Sequence, residues 1–131
     1  MLNQTGFTKT SGLSRKTILF DTQLFFALPC IISNEGVAEV GGKKIVKAGT
    51  PLKGSLVARD TAFTVGKKDD KLVGIAEHDV DVTAGPANGG VIVFGFIDED
   101  KLDASVVELL DTANTDSSKL RDKLTKITFC K

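Results

Sequence analysis

The stretch Leu72–Ile97 constrains the fold more than any other part of the chain. It ends in Val91-Ile92-Val93-Phe94-Gly95-Phe96-Ile97, apolar at every position except the glycine. A short continuous run of β-branched and aromatic residues suits a central strand covered on both sides. Gly95 inside it marks a bulge or a close approach of another backbone. Upstream, Val73, Ile75, Val80 and Val82 alternate in parts, with a break at Glu77-His78-Asp79. Thr83–Gly90 is a turn-rich connection holding Gly85-Pro86 and Asn88-Gly89-Gly90.

The flanking segments supply partners for such a strand. Val37–Val40 and Lys43–Lys47 surround Gly41-Gly42, which predicts a β-hairpin, because glycines accept the positive φ of a tight turn. Gly49 and Pro51 mark another turn, short runs follow at Ser55–Ala58 and Ala62–Val65, and Gly66–Asp70 is a charged, solvated tip. Helical spacing enters late, with Leu102, Val106, Leu109, Leu110 and Ala113 on one face, capped by Asp103 or by a Ser105–Glu108 capping box. Ser117–Leu124 predicts a second short helix with Leu120 and Leu124 inward. Ile127 and Phe129 alternate as a last strand. The sum is an α+β fold, mainly β: a small mixed β domain over 17–131, with one or two short C-terminal helices. Residues 1–16 are rich in Thr, Ser, Gly and Lys, lack a hydrophobic period and read as an extended arm.

Composition narrows the function classes. The chain has 131 residues, 41% hydrophobic and 26% charged, which suits one globular domain. Lys+Arg and Asp+Glu both number 17, so the chain lacks the basic excess of a general phosphate-backbone binder, and no nucleic acid is expected. Without Trp or Tyr, aromatic stacking platforms for sugars or single strands are disfavoured. Cys30 and Cys130 lie far apart without metal spacing, and read as free thiols of a reducing compartment. The polar N-terminus carries no secretion-signal pattern, and the apolar stretch from Leu24 to Ile32 is too short to span a bilayer. The sequence therefore predicts a soluble protein made in the cytoplasm, without a membrane partner.

Thr17–Ile32 is unusually apolar and Phe-rich, more than a solvated tail needs. It predicts one or two core strands broken at Asp21-Thr22, part of which packs across a subunit boundary. Ile18, Phe20, Phe25 and Phe26 are the candidate interface or anchor residues.

Reactive chemistry finds little purchase. His78 stands among Glu77, Asp79 and Asp81, but neighbours in a strand point to opposite faces, and no second His completes a zinc set. Asp98–Asp103 is acidic but off the register of a calcium loop, and the dipole of a helix N-terminus explains it. Gly85–Gly90 lacks the ending of a nucleotide-binding loop and leads into a strand. Ser11, Ser14, Ser33 and Ser55 lack a Gly-x-Ser-x-Gly frame. A cysteine nucleophile would have only His78 as its base. The expectation is a non-enzyme without metal or cofactor.

Three pieces in order carry a resemblance: Gly49-Thr50-Pro51-Leu52, then Val73-Gly74-Ile75 with Asp79-Val80-Asp81-Val82-Thr83, then the glycine-spaced strand Gly90–Ile97 running into Asp98-Glu99-Asp100-Lys101-Leu102. Together they resemble phage head decoration proteins, the small capsid-stabilising proteins of the lambda type, over roughly Val46–Leu110. The resemblance implies a mixed β/α fold, a homotrimer at three-fold positions of the expanded shell, and an N-terminal arm that meets the major capsid protein. On this chain the implied arm contacts are Thr8, Lys9, Leu13, Arg15 and Thr17, and the implied location is the virion surface. The segment Leu19–Ile32 is longer and more apolar than a simple arm needs. A different reading is a small β-barrel carrier of the biotinyl or lipoyl type. Lys43-Lys44 beside Gly41-Gly42 would then be the modified site, but the Met-Lys-Met or Asp-Lys-Ala context is missing.

Overall fold

The computed structural model describes residues 17–21 and 23–131, and the fold is α+β, mainly β. Among these residues the strands are, in chain order, β1 (Phe26–Ile32), β2 (Glu39–Val40), β3 (Lys43–Val46), β4 (Pro51–Lys53), β5 (Thr64–Val65), β6 (Gly74–Ala76), β7 (Val80–Asp81), β8 (Ala87–Asp98) and β9 (Ile127–Cys130). One α-helix, α1 (Ala104–Leu110), and two 3-10 turns, Glu99–Lys101 and Leu120–Lys123, lie between β8 and β9.

The apolar run becomes the second half of β8, a strand of 12 residues to which three others pair. β1 runs antiparallel to it from Ile32↔Ala87 to Phe26↔Phe94, β6 pairs antiparallel at Ile75↔Ile92 and Ala76↔Val91, and β9 pairs in parallel from Ile127↔Gly95 to Cys130↔Asp98. Ahead of β1, Leu19 bridges Ile97. β6 continues to β4, and β4 to β5. Phe63, just before β5, returns to β1: its N–H donates to the Ile31 carbonyl at 2.7 Å, and its carbonyl accepts from Ser33 N–H at 2.8 Å. This contact closes the succession β1–β8–β6–β4–β5 into a small ring of strands, which leaves fewer unpaired sheet edges.

Two cores lie on either side of β8. Ile92 and Ile97 pack with Ile18, Leu19, Ile75, Leu102, Val106, Leu110, Leu124 and Ile127. Val91 packs inside the ring with Ile32, Val46, Leu52, Phe63, Ala76, Val80 and Val82. Val91 and Ile92 are neighbours that point to opposite faces, and both are wholly buried. This is why the strand carries no polar residue there. The cover is incomplete further on, because Phe94 is 39% exposed.

Several local expectations hold. β2 and β3 form the hairpin around Gly41 and Gly42, whose φ angles of 62° and 80° suit a two-residue turn. Asp103 caps α1, its carboxylate accepting from the Ser105 N–H at 3.0 Å, and Val106 and Leu110 face inward. β9 forms where Ile127 and Phe129 alternate. Others are corrected. Asn88-Gly89-Gly90 belong to β8 rather than to a connection. A Cβ on Gly89 would come within 2.7 Å of Ile32 Cδ1, and one on Gly90 within 2.5 Å of Glu77 Oε1. These glycines therefore serve close packing in a strand rather than a turn. The register slips not at Gly95 but between Phe26 and Ala27, whose partners Phe94 and Ile92 leave Val93 unopposed. At Gly95 the other expectation applies, since a Cβ there would meet Phe25 Cβ at 3.1 Å. Ser55–Ala58 forms a turn, α1 stops at Leu110 short of Ala113, and the second helix contracts to the 3-10 turn at Leu120–Lys123, with Leu120 and Leu124 inward as expected.

Arg121 locks this C-terminal part. Its guanidinium holds Glu99 at 2.9 Å and 3.4 Å and lies 5.1 Å from the centre of the Phe129 ring. Its Nε sits 3.0 Å from Asp111 Oδ1, a charge contact poorly aimed for a hydrogen bond. The Arg121 hydrogen bond keeps the Glu99 carboxyl below its ordinary range. Phe63 is the largest wholly buried side chain and closes the ring. Phe63→Ala is therefore expected to cost about 3–5 kcal/mol in urea unfolding. Val57→Ala, at a residue 97% exposed, should stay within about 0.5 kcal/mol.

Candidate functional site

The apolar segment before and within β1 divides sharply by burial. Ile18 and Leu19 enter the core, whereas Phe20 and Phe26 are 64% and 53% exposed, and Leu24 and Phe25 are exposed to a lesser degree. The backbone gathers these side chains along one part of β8. Phe26 stands directly opposite Phe94, so the two rings lie on the same face as a cross-strand pair. The Phe20 N–H donates to the Phe96 carbonyl at 2.9 Å, two residues further along β8. Phe25 packs over Gly95 between them. A monomer seldom leaves such a row of aromatic side chains in water, and contiguous exposed apolar surface marks an interaction site.

Of the residues singled out in the sequence, Phe20, Phe25 and Phe26 thus come together on this surface, and Ile18 anchors the segment from inside. Thr17 is half-buried, and its hydroxyl accepts from the Leu19 N–H at 3.2 Å. Thr8, Lys9, Leu13 and Arg15 lie outside the described residues. The sequence reading missed Phe94. Its place in the most apolar strand suggested burial, and only the cross-strand register with Phe26 gives it an exposed face.

Beside this surface lies an open groove of about 1190 Å³. Ile18, Phe25, Leu28, Pro29 and Leu102 supply its apolar lining. Its polar lining comes from the β3–β4 turn, from the break after β6 and from the start of α1. Lys47 Nζ meets Asp103 Oδ2 at 3.3 Å. Hydrogen bonds from the Ser105 hydroxyl and N–H, with Lys47 adding to them, hold the Asp103 carboxyl down at about 2. The Asp79 carboxylate accepts from the Ala48 N–H at 2.8 Å, tying the break to the turn. His78 Nε2 stands 3.7 Å from Glu77 Oε2, and His78 Nδ1 is buried without a protein partner.

The chemistry within reach is modest. The Glu77–His78 separation is too long for a hydrogen bond, and Asp79 is turned to Ala48 rather than to the imidazole. Burial pushes the Cys30 thiol up, away from the thiolate a nucleophile needs. Among the described residues, no three acidic, His or Cys side chains converge as metal ligands, and no helix is long and apolar enough to cross a membrane. The acidic run is spent on structure: Asp98 caps the 3-10 turn, Glu99 pairs with Arg121, and Asp103 caps α1. Gly41-Gly42 forms the tip of the β2–β3 hairpin, so Lys43 and Lys44 lie in β3 rather than in the turn.

No protein-family model matches the chain, and comparison with curated proteins gives no significant match.

The lowered Asp103 acidity carries a sign. A carboxyl whose acidity is stronger in the folded state stabilises the fold above the ordinary value of 3.8 and loses that contribution as pH falls toward about 2. Denaturant midpoints are expected to fall between pH 4 and pH 2. Asp103→Asn, whose amide oxygen still caps α1, should flatten part of that fall and change stability at pH 7 by less than about 1 kcal/mol.

Proposed function

We propose that the chain is a capsid decoration protein that binds the outer surface of a phage head and stabilises the shell. The observation that carries this reading is the row Phe20, Phe25, Phe26 and Phe94, exposed beside the point where residues 1–16 join the fold. A cementing protein works by burying surface on its partner, at roughly 25 cal/mol per Å² of apolar area before the costs of association, and it needs no reacting group. The row offers such area. The sequence resemblance over Val46–Leu110 supports the same reading, because it joins the turn at Gly49–Leu52 to β6, β7 and β8 in the order of that family. In this reading the major capsid protein is the partner. Thr8, Lys9, Leu13, Arg15 and Thr17 contact it, and the Phe row meets either the shell or the neighbouring subunit of a homotrimer.

Sedimentation of empty, expanded heads mixed with the purified protein tests the proposal. The protein is expected to pellet with the heads. The double variant Phe20→Ser/Phe26→Ser, altered only at exposed positions, should keep its melting temperature within a few degrees and lose at least tenfold in head affinity. A wild-type protein that stays in the supernatant at every head concentration would overturn the reading.

A further inference from the structure

The groove beside the Phe row borders the point where residues 1–16 enter the fold. Its volume of about 1190 Å³ lies above the roughly 300–1,000 Å³ of small-molecule pockets, which leaves room for several residues of peptide. Its lining mixes an apolar wall, including Phe25, Leu28 and Pro29, with three carboxylates, Glu77, Asp79 and Asp103, against two lysines, Lys47 and Lys101, so it is acidic by one charge. Lys47 answers Asp103, but Glu77 and Asp79 have no Lys or Arg partner within ion-pair distance among the described residues. Ile18 lines the groove, so residues 1–16 join the fold at its border.

Those sixteen residues complement the groove in charge. They contain Lys9, Arg15 and Lys16 and no acid, so the whole acidic excess of this neutral chain lies in the remainder. They also contain Phe7 and Leu13, which suit the apolar wall. Reach is no obstacle, because sixteen extended residues span up to about 55 Å. We propose that residues 1–16 occupy this groove of their own chain in the free protein, with their basic side chains against Glu77 and Asp79, next to His78. The segment would then have to leave its own groove before meeting a capsid. This occupancy is a property of the isolated protein and can fail or hold independently of head binding.

His78, the single histidine of the chain, is the reporter. In a nuclear Overhauser experiment on the full-length protein at low salt, its ring protons are expected to show cross-peaks to side chains within residues 1–16. Intensity per molecule should be unchanged on tenfold dilution. The variant Lys9→Glu/Arg15→Glu/Lys16→Glu should lose these cross-peaks while keeping those from His78 to its neighbours in the fold. The proposal is overturned if no cross-peak to residues 1–16 is present in the wild type, or if the cross-peaks survive the charge reversal. Cross-peaks that fade on dilution also overturn it, because the occupant is then a second copy.

Discussion

The structure depends on the hydrogen bonding of a single long strand. β8 pairs with β1, with β6 and with β9, and it also receives Leu19. Most of the sheet is assembled on it directly, and the rest through β6. A backbone amide buried without a partner costs as much as a lost hydrogen bond, so such a strand can sit between two cores only if both of its edges are paired. Here β1 pairs on one side, and β6 and β9 on the other. The apolar side chains of Val91 and Ile92 make those two cores, and the pairings make their burial tolerable. Neither would persist without the other.

The central strand was legible in the sequence because its pattern has few competing explanations. Six apolar residues interrupted only by Gly95 fit a strand buried for most of its length, and the strand's beginning was misjudged only because Asn88-Gly89-Gly90 carries the signature of a turn. The local rule lost to packing there: the Ile32 and Glu77 side chains fill the space beside Gly89 and Gly90 where a Cβ would otherwise sit. The Gly41-Gly42 hairpin and the Asp103 cap were readable because their signals are local. The shortened helices were not. The repeat from Leu102 to Ala113 is helical in spacing, yet α1 ends at Leu110, beyond which Leu120 N–H takes the Thr112 carbonyl and Ala113 bridges Lys119.

The exposed aromatic row was legible in half. Phe20, Phe25 and Phe26 stand out by composition in a segment too apolar for a tail. Their exposure, and the addition of Phe94, follow from pairing across more than sixty residues of sequence, which no local pattern encodes. The groove was invisible for the same reason. Lys47, the Glu77–Asp79 break and Asp103 come from three separate segments, brought together by the fold.

The parallel pairing of β9 with β8 has a kinetic consequence. β1 precedes β8 by more than fifty residues, and β9 follows only after α1 and both 3-10 turns, so most of the pairing that holds β8 is distant in sequence. Chains dominated by such contacts close their loops late and fold slowly. While the chain is being synthesised, Val91–Ile97 emerges before the last residues that cover it, and remains a naked, aggregation-prone strand until they arrive. Prompt docking of the earlier segment at Leu19 and β1 is the shield the chain has in that interval. The apolar character of residues 18–32 therefore serves assembly of the monomer as well as any surface it later presents.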